Sequence, residues 1–502
     1  MTHSVLLRRV RIVELTGAAA AGPTDLLIEN GVITVLAAGF RRPAGVAEID
    51  GAGRWAIPGL WDAHVHVAQW VRTARMLELG AAASAEDVLD VVGRHIARSS
   101  DDGRVVLGFG YRSAGWPRLA TVAELDAVSG GRPVALVSGD AHNGWLNTTA
   151  FVLLGVPART GPVSEHEWFE LLRRLDDLPG AAPAAADFVA PLAELAGRGV
   201  TGLVDFEFEN TFLDWPVRIA AGADLLRVRC ATYPHQLEQV RALGLRSGDP
   251  LPGTGGLAAM GPLKIISDGS LNSRTAWTRE PYSDGPASAQ QPCGQANYSL
   301  PELVDLLGSG ARDGLEVAVH AIGDRANGVA LDAIAATGAR GSIEHAQLIT
   351  NADIRRMAGL GVRASVQPAH LLDDRDLTER VWGARAAMAF PLRTMLRAGV
   401  DLRFGSDAPV APPDPWLAMA TAVHRSGDGR AGWYPEQSLT PREALTASVD
   451  GRRLAPGQPG DVVLLDVDPF ALRDDPAATA SALRDVRPAL TLCAGRVTHT
   501  TL

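Results

Sequence analysis

The chain has 502 residues and a formal net charge of −10, with 46% hydrophobic and 21% charged residues. This balance is typical of a globular protein large enough for two domains, and the lack of a basic tract argues against nucleic acid or an anionic membrane surface as partner. Three cysteines without a Cys-x-x-Cys pair, and no apolar run of bilayer-spanning length, predict a cytoplasmic protein without disulfides or a thiolate metal site.

The two ends of the chain have the same β texture. Residues 1–56 consist of short β segments broken by Gly and Asn. Gly460–Asp466 and Ala489–Thr498, near the other end, are also strand candidates. Because the ends resemble each other and differ from the middle, we expect residues 1–56 and 453–502 to form one small domain, a β-sandwich.

The middle of the chain, residues 57–452, alternates buried strand candidates with helical patterns. This alternation is typical of βα units around a parallel sheet. Eight strands are the number that closes a TIM-like (β/α)₈ barrel of the α/β class. The candidates are Trp61–His66, Gly202–Asp205, Arg227–Thr232, Leu263–Asp268, Leu315–His320, Ser342–His345, Arg363–Gln367 and Leu402–Asp407.

The connection between the first two predicted barrel strands is unusually long. It contains well over one hundred residues, whereas a βα connection is normally far shorter. It also holds strand candidates of its own, at Val105–Gly110 and Pro133–Ser138. We therefore predict an inserted subdomain at about residues 71–200. Because its root lies at the carboxyl end of the first strand, where barrel enzymes place their active sites, we expect it to cover the site.

Ionisable residues recur at the ends of the predicted barrel strands. His64 and His66 alternate along the first strand, so both imidazoles face one side and either bind one divalent metal or simply pack. Asp62 shares their face, and we expect it to orient His64 rather than to bind the metal. Later strands carry or are followed by Lys264, Asp268, His320, Glu344, His345 and Asp407. Four histidines and an aspartate at one end of a barrel favour zinc.

Seven motifs occur along nearly the whole chain. They are Pro58–His66, Asp140–Asn147, Lys264–Ser270, His320–Asn327, Ile343–Gln347, Ser365–Pro368 and Phe404–Pro409. Together, and in this order, they resemble the amidohydrolase superfamily and more narrowly amidohydrolase family 3, the group that includes N-substituted formamide deformylase. The resemblance implies hydrolysis of an amide or formamide C–N bond in a small molecule, with one or two divalent metal ions as cofactor.

The resemblance also implies a role for each site residue. The implied metal ligands are His64, His66, Lys264, His320 and His345. The first two would hold one ion and the last two the second. In a binuclear site Lys264 would be carboxylated and would bridge the ions, whereas an uncarboxylated Lys264 would pair with Asp268 or Glu344. Asp407 would be the proton shuttle for a metal-activated hydroxide.

A substrate pocket is implied by the same motifs. His142 would be catalytic, reaching the substrate or its oxyanion, or else Asp140–His142 would form a structural hydrogen-bonding turn. The implied substrate-binding residues are Asp140, Trp145, Asp268, Asp324, Arg325, Gln367 and His370. Arg325 would bind a substrate carboxylate, or else would pair with Asp324 or Glu344 for purely structural reasons.

Two other functions stay open at this point. One is a mononuclear-metal deaminase of a cyclic amidine, and the other is a barrel that binds small molecules without catalysis. Gly323 and Lys264 argue against the deaminase. Deaminases of the superfamily carry Glu, and not Gly, three residues after the histidine of strand five. The intact set of metal-binding residues argues against a silent barrel. We expect a small amide-like substrate, no nucleic acid or membrane partner, and a homodimer as the default assembly.

Overall fold

A computed structural model describes most of the chain. The described residues are 4–16, 22–100, 102–113, 116–118, 120–139, 143–172, 174–284, 291–471 and 475–502. The predicted site residues Asp140 and His142 lie outside them. The chain divides into two compact units, one of Met1–Val67 with Leu192–Leu502, the other of Ala68–Pro191. None of the described helices combines the length and the apolar character needed to cross a membrane.

The strands belong to three sheets, which are the terminal sheet, the barrel and the sheet of the insert. In chain order they are β1 (Val5–Ile12), β2 (Thr24–Glu29), β3 (Val32–Ala37), β4 (Ala47–Asp50), β5 (Trp55–Pro58), β6 (Leu60–Val65), β7 (Leu77–Glu78), β8 (Val106–Tyr111), β9 (Val134–Ser138), β10 (Asn143–Leu146), β11 (Val163–Ser164), β12 (Val200–Asp205), β13 (Arg227–Thr232), β14 (Ala258–Ile266), β15 (Val317–Ala321), β16 (Gly341–His345), β17 (Arg363–Val366), β18 (Leu402–Phe404), β19 (Val462–Leu465), β20 (Pro488–Cys493) and β21 (Arg496–Thr500).

The α-helices mostly connect successive strands. In chain order they are α1 (Val67–Ala74), α2 (Ala85–Arg98), α3 (Val122–Ser129), α4 (Thr148–Leu153), α5 (Glu165–Leu172), α6 (Val189–Gly197), α7 (Thr211–Ala220), α8 (Leu237–Leu243), α9 (Leu300–Arg312), α10 (Asp324–Thr337), α11 (Asn351–Leu360), α12 (Leu371–Trp382), α13 (Leu392–Arg397), α14 (Pro415–His424), α15 (Pro441–Ala447) and α16 (Pro476–Arg484). Side-chain caps mark several of their starts, as at Ser84 and Thr440.

Strands from both ends of the chain share one sheet. Its order is β21-β20-β19-β5-β1-β2-β3, with β4 paired to β1. The sheet leads directly into the first barrel strand, because only Gly59 separates β5 from β6. A Cβ at Gly59 would lie 2.0 Å from Thr201 Oγ1, so only glycine allows β12 to approach this closely.

The predicted α/β barrel is confirmed. Its eight parallel strands follow the order β18-β17-β16-β15-β14-β13-β12-β6. Two backbone bonds bring the ends of this sheet together, from His66 N to Ala408 O at 2.9 Å and from Asp407 N to His64 O at 2.6 Å. The barrel is therefore nearly closed beside the predicted metal ligands.

Two barrel strands end at least two residues before their predicted ends. β14 ends at Ile266 rather than at Asp268, and β18 ends at Phe404 rather than at Asp407. Asp407 has φ of 56°, which lies in the left-handed region and outside the extended conformation of a regular strand. Both aspartates therefore lie on loops that follow the carboxyl ends of their strands. The alternation of a strand does not determine the direction of their side chains there.

The second unit, Ala68–Pro191, has its own five-stranded sheet of order β11-β10-β9-β8-β7. The predicted strand pair of the insert corresponds to β8 and β9. Apolar clusters surround the sheet, with Phe151 and Trp168 in one of them and Tyr111 and Trp145 in another. The unit thus has a core of its own, and its predicted covering of the site stays a prediction.

Candidate metal centre

Three buried side chains meet at the carboxyl end of the barrel. One ligand atom from each of His64, His345 and Asp407 lies within 4.8 Å of the others. His64 is on β6, His345 ends β16, and Asp407 follows β18. Strands distant in sequence thus bring together residues that the sequence predicted as metal ligands and proton shuttle.

His64 is held by a carboxylate that was not predicted as a site residue. Its Nδ1 lies 2.7 Å from Glu344 Oε2, and both side chains are buried. The contact leaves Nε2 facing the centre, 3.4 Å from Asp407 Oδ1. A carboxylate on the outer nitrogen fixes the tautomer and keeps the lone pair of the inner nitrogen for a metal.

His345 is oriented in the same way by Gln367. Its Nδ1 lies 2.8 Å from Gln367 Oε1. Gln367 was predicted to bind substrate, and the structure places it behind a histidine instead. His345 has φ of 71°, which breaks the strand alternation. For this reason the neighbours Glu344 and His345 both reach His64, the second with ring centroids 5.0 Å apart.

His66 and His320 flank this pair. His66 Nε2 lies 3.4 Å from Asp407 Oδ1. The His320 ring centroid is 4.5 Å from that of His345, and its Nε2 contacts Gly269 O at 3.2 Å. All four predicted histidine ligands therefore lie around one centre, although only His64 and His345 point a ligand atom into the closest group.

Lys264 is buried beside His64, with its Nζ 3.3 Å from His64 Nε2 and 4.3 Å from the ring centroid of Phe206. Its two alternative partners are engaged elsewhere, Glu344 with His64 and Asp268 with backbone amides. Burial lowers the pKa of Lys264 to about 8. It is also the single lysine of the sequence, in which every other basic side chain of this length is arginine.

Three of the histidines, His64, His320 and His345, are neutral in this environment. Burial holds the pKa of His64 and of His345 well below the usual value, and it lowers the pKa of His320 to about 4. A neutral imidazole offers a lone pair, and imidazole with carboxylate is the donor set that zinc prefers. The convergent atoms, their protonation and their outer hydrogen bonds therefore fit a divalent cation.

Asp62 contacts the backbone N–H of His64 and not its imidazole, which Glu344 holds, so its expected role in orienting His64 stays a prediction. Oδ1 accepts from the backbone N–H of His64 at 3.1 Å and of Ser406 at 2.9 Å, and Oδ2 accepts from Ser406 Oγ at 2.6 Å. Burial raises the pKa of Asp62 to about 6. The carboxylate thus ties the end of β6 to the loop that carries Asp407.

The predicted substrate contacts of Asp268 and Trp145 are not supported. Asp268 is fully buried and accepts from the backbone N–H groups of Trp277, Ile322 and Gly323 at 2.8–3.0 Å. It joins two loops, and its Oδ1 is 3.4 Å from His320 Nε2. Trp145 is fully buried in the core of the second unit. Both side chains are therefore structural in this arrangement.

The other predicted pocket residues have varied surroundings. Asp324 is buried and accepts from the backbone N–H of Arg279 at 2.8 Å. Arg325 is exposed, and its guanidinium lies 4.6 Å from the ring centroid of Trp277 rather than on Asp324 or Glu344. His370 Nε2 lies 3.9 Å from Asp407 Oδ2. His370 therefore adjoins the centre, and Arg325 stays a prediction.

Glu344 provides a direct test of the centre. Glu344→Ala is expected to weaken zinc binding by about 10–100-fold, because His64 loses the acceptor on its outer nitrogen. Glu344→Gln keeps an oxygen acceptor and should lose less. Competition with a chromogenic chelator measures the affinity, and Glu316→Ala, which removes a half-exposed partner of Arg363, is the matched control. Equal affinities in all four proteins would contradict the assignment.

Known proteins are similar to this chain in sequence and in fold. It is 27% identical over 476 residues to the putative amidohydrolase YtcJ of Bacillus subtilis (strain 168), covering 86% of this chain and 87% of that protein. It is 26% identical over 475 residues to the N-substituted formamide deformylase of Arthrobacter pascens, covering 84% and 85%. An uncharacterized metal-dependent hydrolase from Pyrococcus horikoshii OT3 superposes with a TM-score of 0.78 at 25% identity, covering 93% of this chain and 98% of that one. The profile of the Amidohydrolase family matches residues 47–499, and the chain therefore belongs to that family.

Proposed function

We propose that this protein is a metal-dependent amidohydrolase that cleaves the C–N bond of a small, non-peptide amide or formamide. The observation that carries the proposal is the convergence of His64, His345 and Asp407 within 4.8 Å, inside a barrel of the amidohydrolase family. The similarity to a formamide deformylase supports the class of bond. Zinc, as one or two ions, suits the donors.

A bound divalent cation supplies Lewis acidity and water activated at neutral pH. The chain's residues do the rest. Glu344 and Gln367 contact the outer nitrogens, Nδ1, of His64 and His345. These contacts turn the inner nitrogens toward the centre. Asp407, between His64 and His66, takes the proton of the attacking water and returns it to the leaving nitrogen. Proton transfer to nitrogen is needed because an amide anion is a poor leaving group.

Lys264 is proposed to be carboxylated when two ions are bound. The ammonium first loses one proton; the neutral amine then attacks carbon dioxide, an N–C bond forms as one C–O π bond opens, and a second proton leaves, so that a cation becomes an anion. The exchange removes a positive charge 3.3 Å from His64 Nε2, where it would repel a metal. Arginine does not undergo this reaction readily. This difference accounts for a lysine at position 264 in a chain that has arginine at every other such position.

The local backbone disfavours the deaminase alternative. A Cβ at position 323 would lie 2.0 Å from Trp277 O and 2.3 Å from Trp277 C. The loop after β14 thus fills the space that the proton-transferring Glu of a deaminase would need. Gly323 is a packing requirement of this fold as well as a missing functional group.

The proposed function is tested by metal exchange with a substrate panel. The protein is stripped with a chelator, reloaded with zinc, and assayed for amine release from N-formyl, N-acyl and cyclic amides. Hydrolysis of at least one class is expected, lost on stripping and restored by zinc, with metal content measured on the same samples. A chain that binds no metal, or that stays active without it, would contradict the proposal. Ligand binding without turnover would instead indicate the silent barrel.

A further inference from the structure

Two phenylalanines accompany the two histidines of the first barrel strand. Phe206 and Phe208 follow β12, the parallel neighbour of β6, in which Asp205 pairs with Val65. The ring centroid of Phe206 lies 4.4 Å from that of His64, and the centroid of Phe208 lies 5.6 Å from that of His66. The two histidines at the end of β6 and the two phenylalanines after β12 are each separated by one residue. Each imidazole therefore has one phenylalanine ring beside it.

His66 differs from the other inner histidines in how it is held. His64 and His345 each have an oxygen acceptor on Nδ1, from Glu344 and Gln367. His66 Nδ1 is buried and, in the described part of the chain, has no hydrogen-bond partner. Its Nε2 faces Asp407. No hydrogen bond on its outer nitrogen therefore fixes the rotation of this ring within the described residues, in contrast to His64 and His345.

Phe208 contacts the ring of His66 in another way. Its ring and that of His66 are stacked, with 26° between their planes. At this separation offset stacking of aromatic rings is attractive and favours one relative orientation. Tilting the imidazole about its Cβ–Cγ bond would break the stack, so the stack resists that rotation.

Phe208 is itself fixed from the barrel side. Its ring centroid lies 5.1 Å from that of Tyr233, which is buried. Tyr233 donates from its hydroxyl to Phe206 O at 2.7 Å. Because this bond ties the phenol to the backbone two residues before Phe208, the ring that covers His66 rests on a rigid support. Phe208 is nonetheless 46% exposed, so replacing it removes little of the core.

We propose that Phe208 is a positioning residue for the metal centre, with its ring holding the plane of His66 so that Nε2 faces the ion. It does by stacking what Glu344 and Gln367 do by hydrogen bonding. The inference rests on the proposed function, because it presupposes that His66 binds a metal. It predicts that an aromatic ring at position 208 matters and that apolar volume alone does not suffice.

The test compares ring-bearing with ringless side chains. Phe208→Leu is expected to weaken zinc affinity about tenfold and to shift the ligand-field spectrum of the cobalt-loaded protein. Phe208→Tyr keeps the ring, and its affinity should stay within about twofold of the wild type. Leu213→Ala, at a half-exposed apolar site on α7, controls for loss of surface packing and should change neither quantity.

The outcomes separate this inference from the function on which it rests. A Phe208→Leu protein with wild-type affinity and spectrum overturns the inference, and so does a Phe208→Tyr protein as impaired as Phe208→Leu. A wild-type chain that binds neither zinc nor cobalt overturns the proposed function as well. Phe208→Met is the second ringless variant and replaces Phe208→Leu if that chain does not fold.

Discussion

Asp407→Asn is expected to lower kcat by about 10³-fold while leaving bound metal in place, because general acid–base catalysis contributes roughly 10²–10⁴-fold. Oδ1 of Asp407 lies 3.4 Å from the Nε2 atoms of both His64 and His66. This carboxylate oxygen faces both imidazoles, and we expect it to exchange the proton of the attacking water. Asparagine has the same shape but no basic oxygen, so the loss should fall on proton transfer and not on assembly of the centre.

The measurement is kcat on the substrate found by the panel, together with zinc content per chain. Asp401→Asn is the matched control, because Asp401 precedes β18 and pairs with Arg403 at 2.6 Å on the surface. It should keep wild-type kcat and metal. Full activity in Asp407→Asn would remove Asp407 from the reaction. Loss of zinc in the same variant would assign it to metal binding.

The barrel was predictable because its strands are buried runs that alternate with helical patterns, each with a polar residue at or near its carboxyl end. β6 and β12 through β18 each overlap a predicted strand, although several of the bounds differ. The positions of His64, His66 and Lys264 followed from the strands that carry them. A parallel barrel collects the carboxyl ends of its strands at one face, so residue type and strand end were sufficient there.

The outer contacts were not predictable by the same rule. Alternation along a strand places Glu344 and His345 on opposite faces, and only the left-handed backbone of His345 brings both to His64. Asp268 has the residue type of a ligand, yet three backbone amides occupy it. A polar residue in a motif does not reveal whether its partner is a substrate or the chain itself.

Phe206 and Phe208 were missed for the opposite reason. Apolar residues that follow a buried strand are normally read as core, and nothing in their type points to a metal centre. The available signal was the pattern Asp205-Phe-Glu-Phe208, whose alternation at the end of the second strand repeats that of His64-Val-His66 at the end of the first. Which imidazole each ring covers depends on strand register, and register appears only in the folded chain.

Lys264 distinguishes a one-ion from a two-ion centre. If it carries a carbamate, the chain incubated with ¹³C-bicarbonate should show a carbamate resonance that Lys264→Met abolishes. Because this is the single lysine of the sequence, only the amino terminus offers another amine, and the Met variant retains that terminus. Zinc content should fall from two ions to one or none in the variant.

Activity should follow the metal. Lys264→Ala removes a ligand, so its kcat/KM should fall by at least the roughly 10²-fold that loss of an outer partner of a ligand costs. The shortened side chain leaves a buried space beside His64, and a small carboxylate such as propionate should enter it and restore part of the activity. Lys264→Met fills that space with a side chain of similar length and should not respond. If both variants keep full activity with one bound ion, Lys264 has no part in catalysis and the centre is mononuclear.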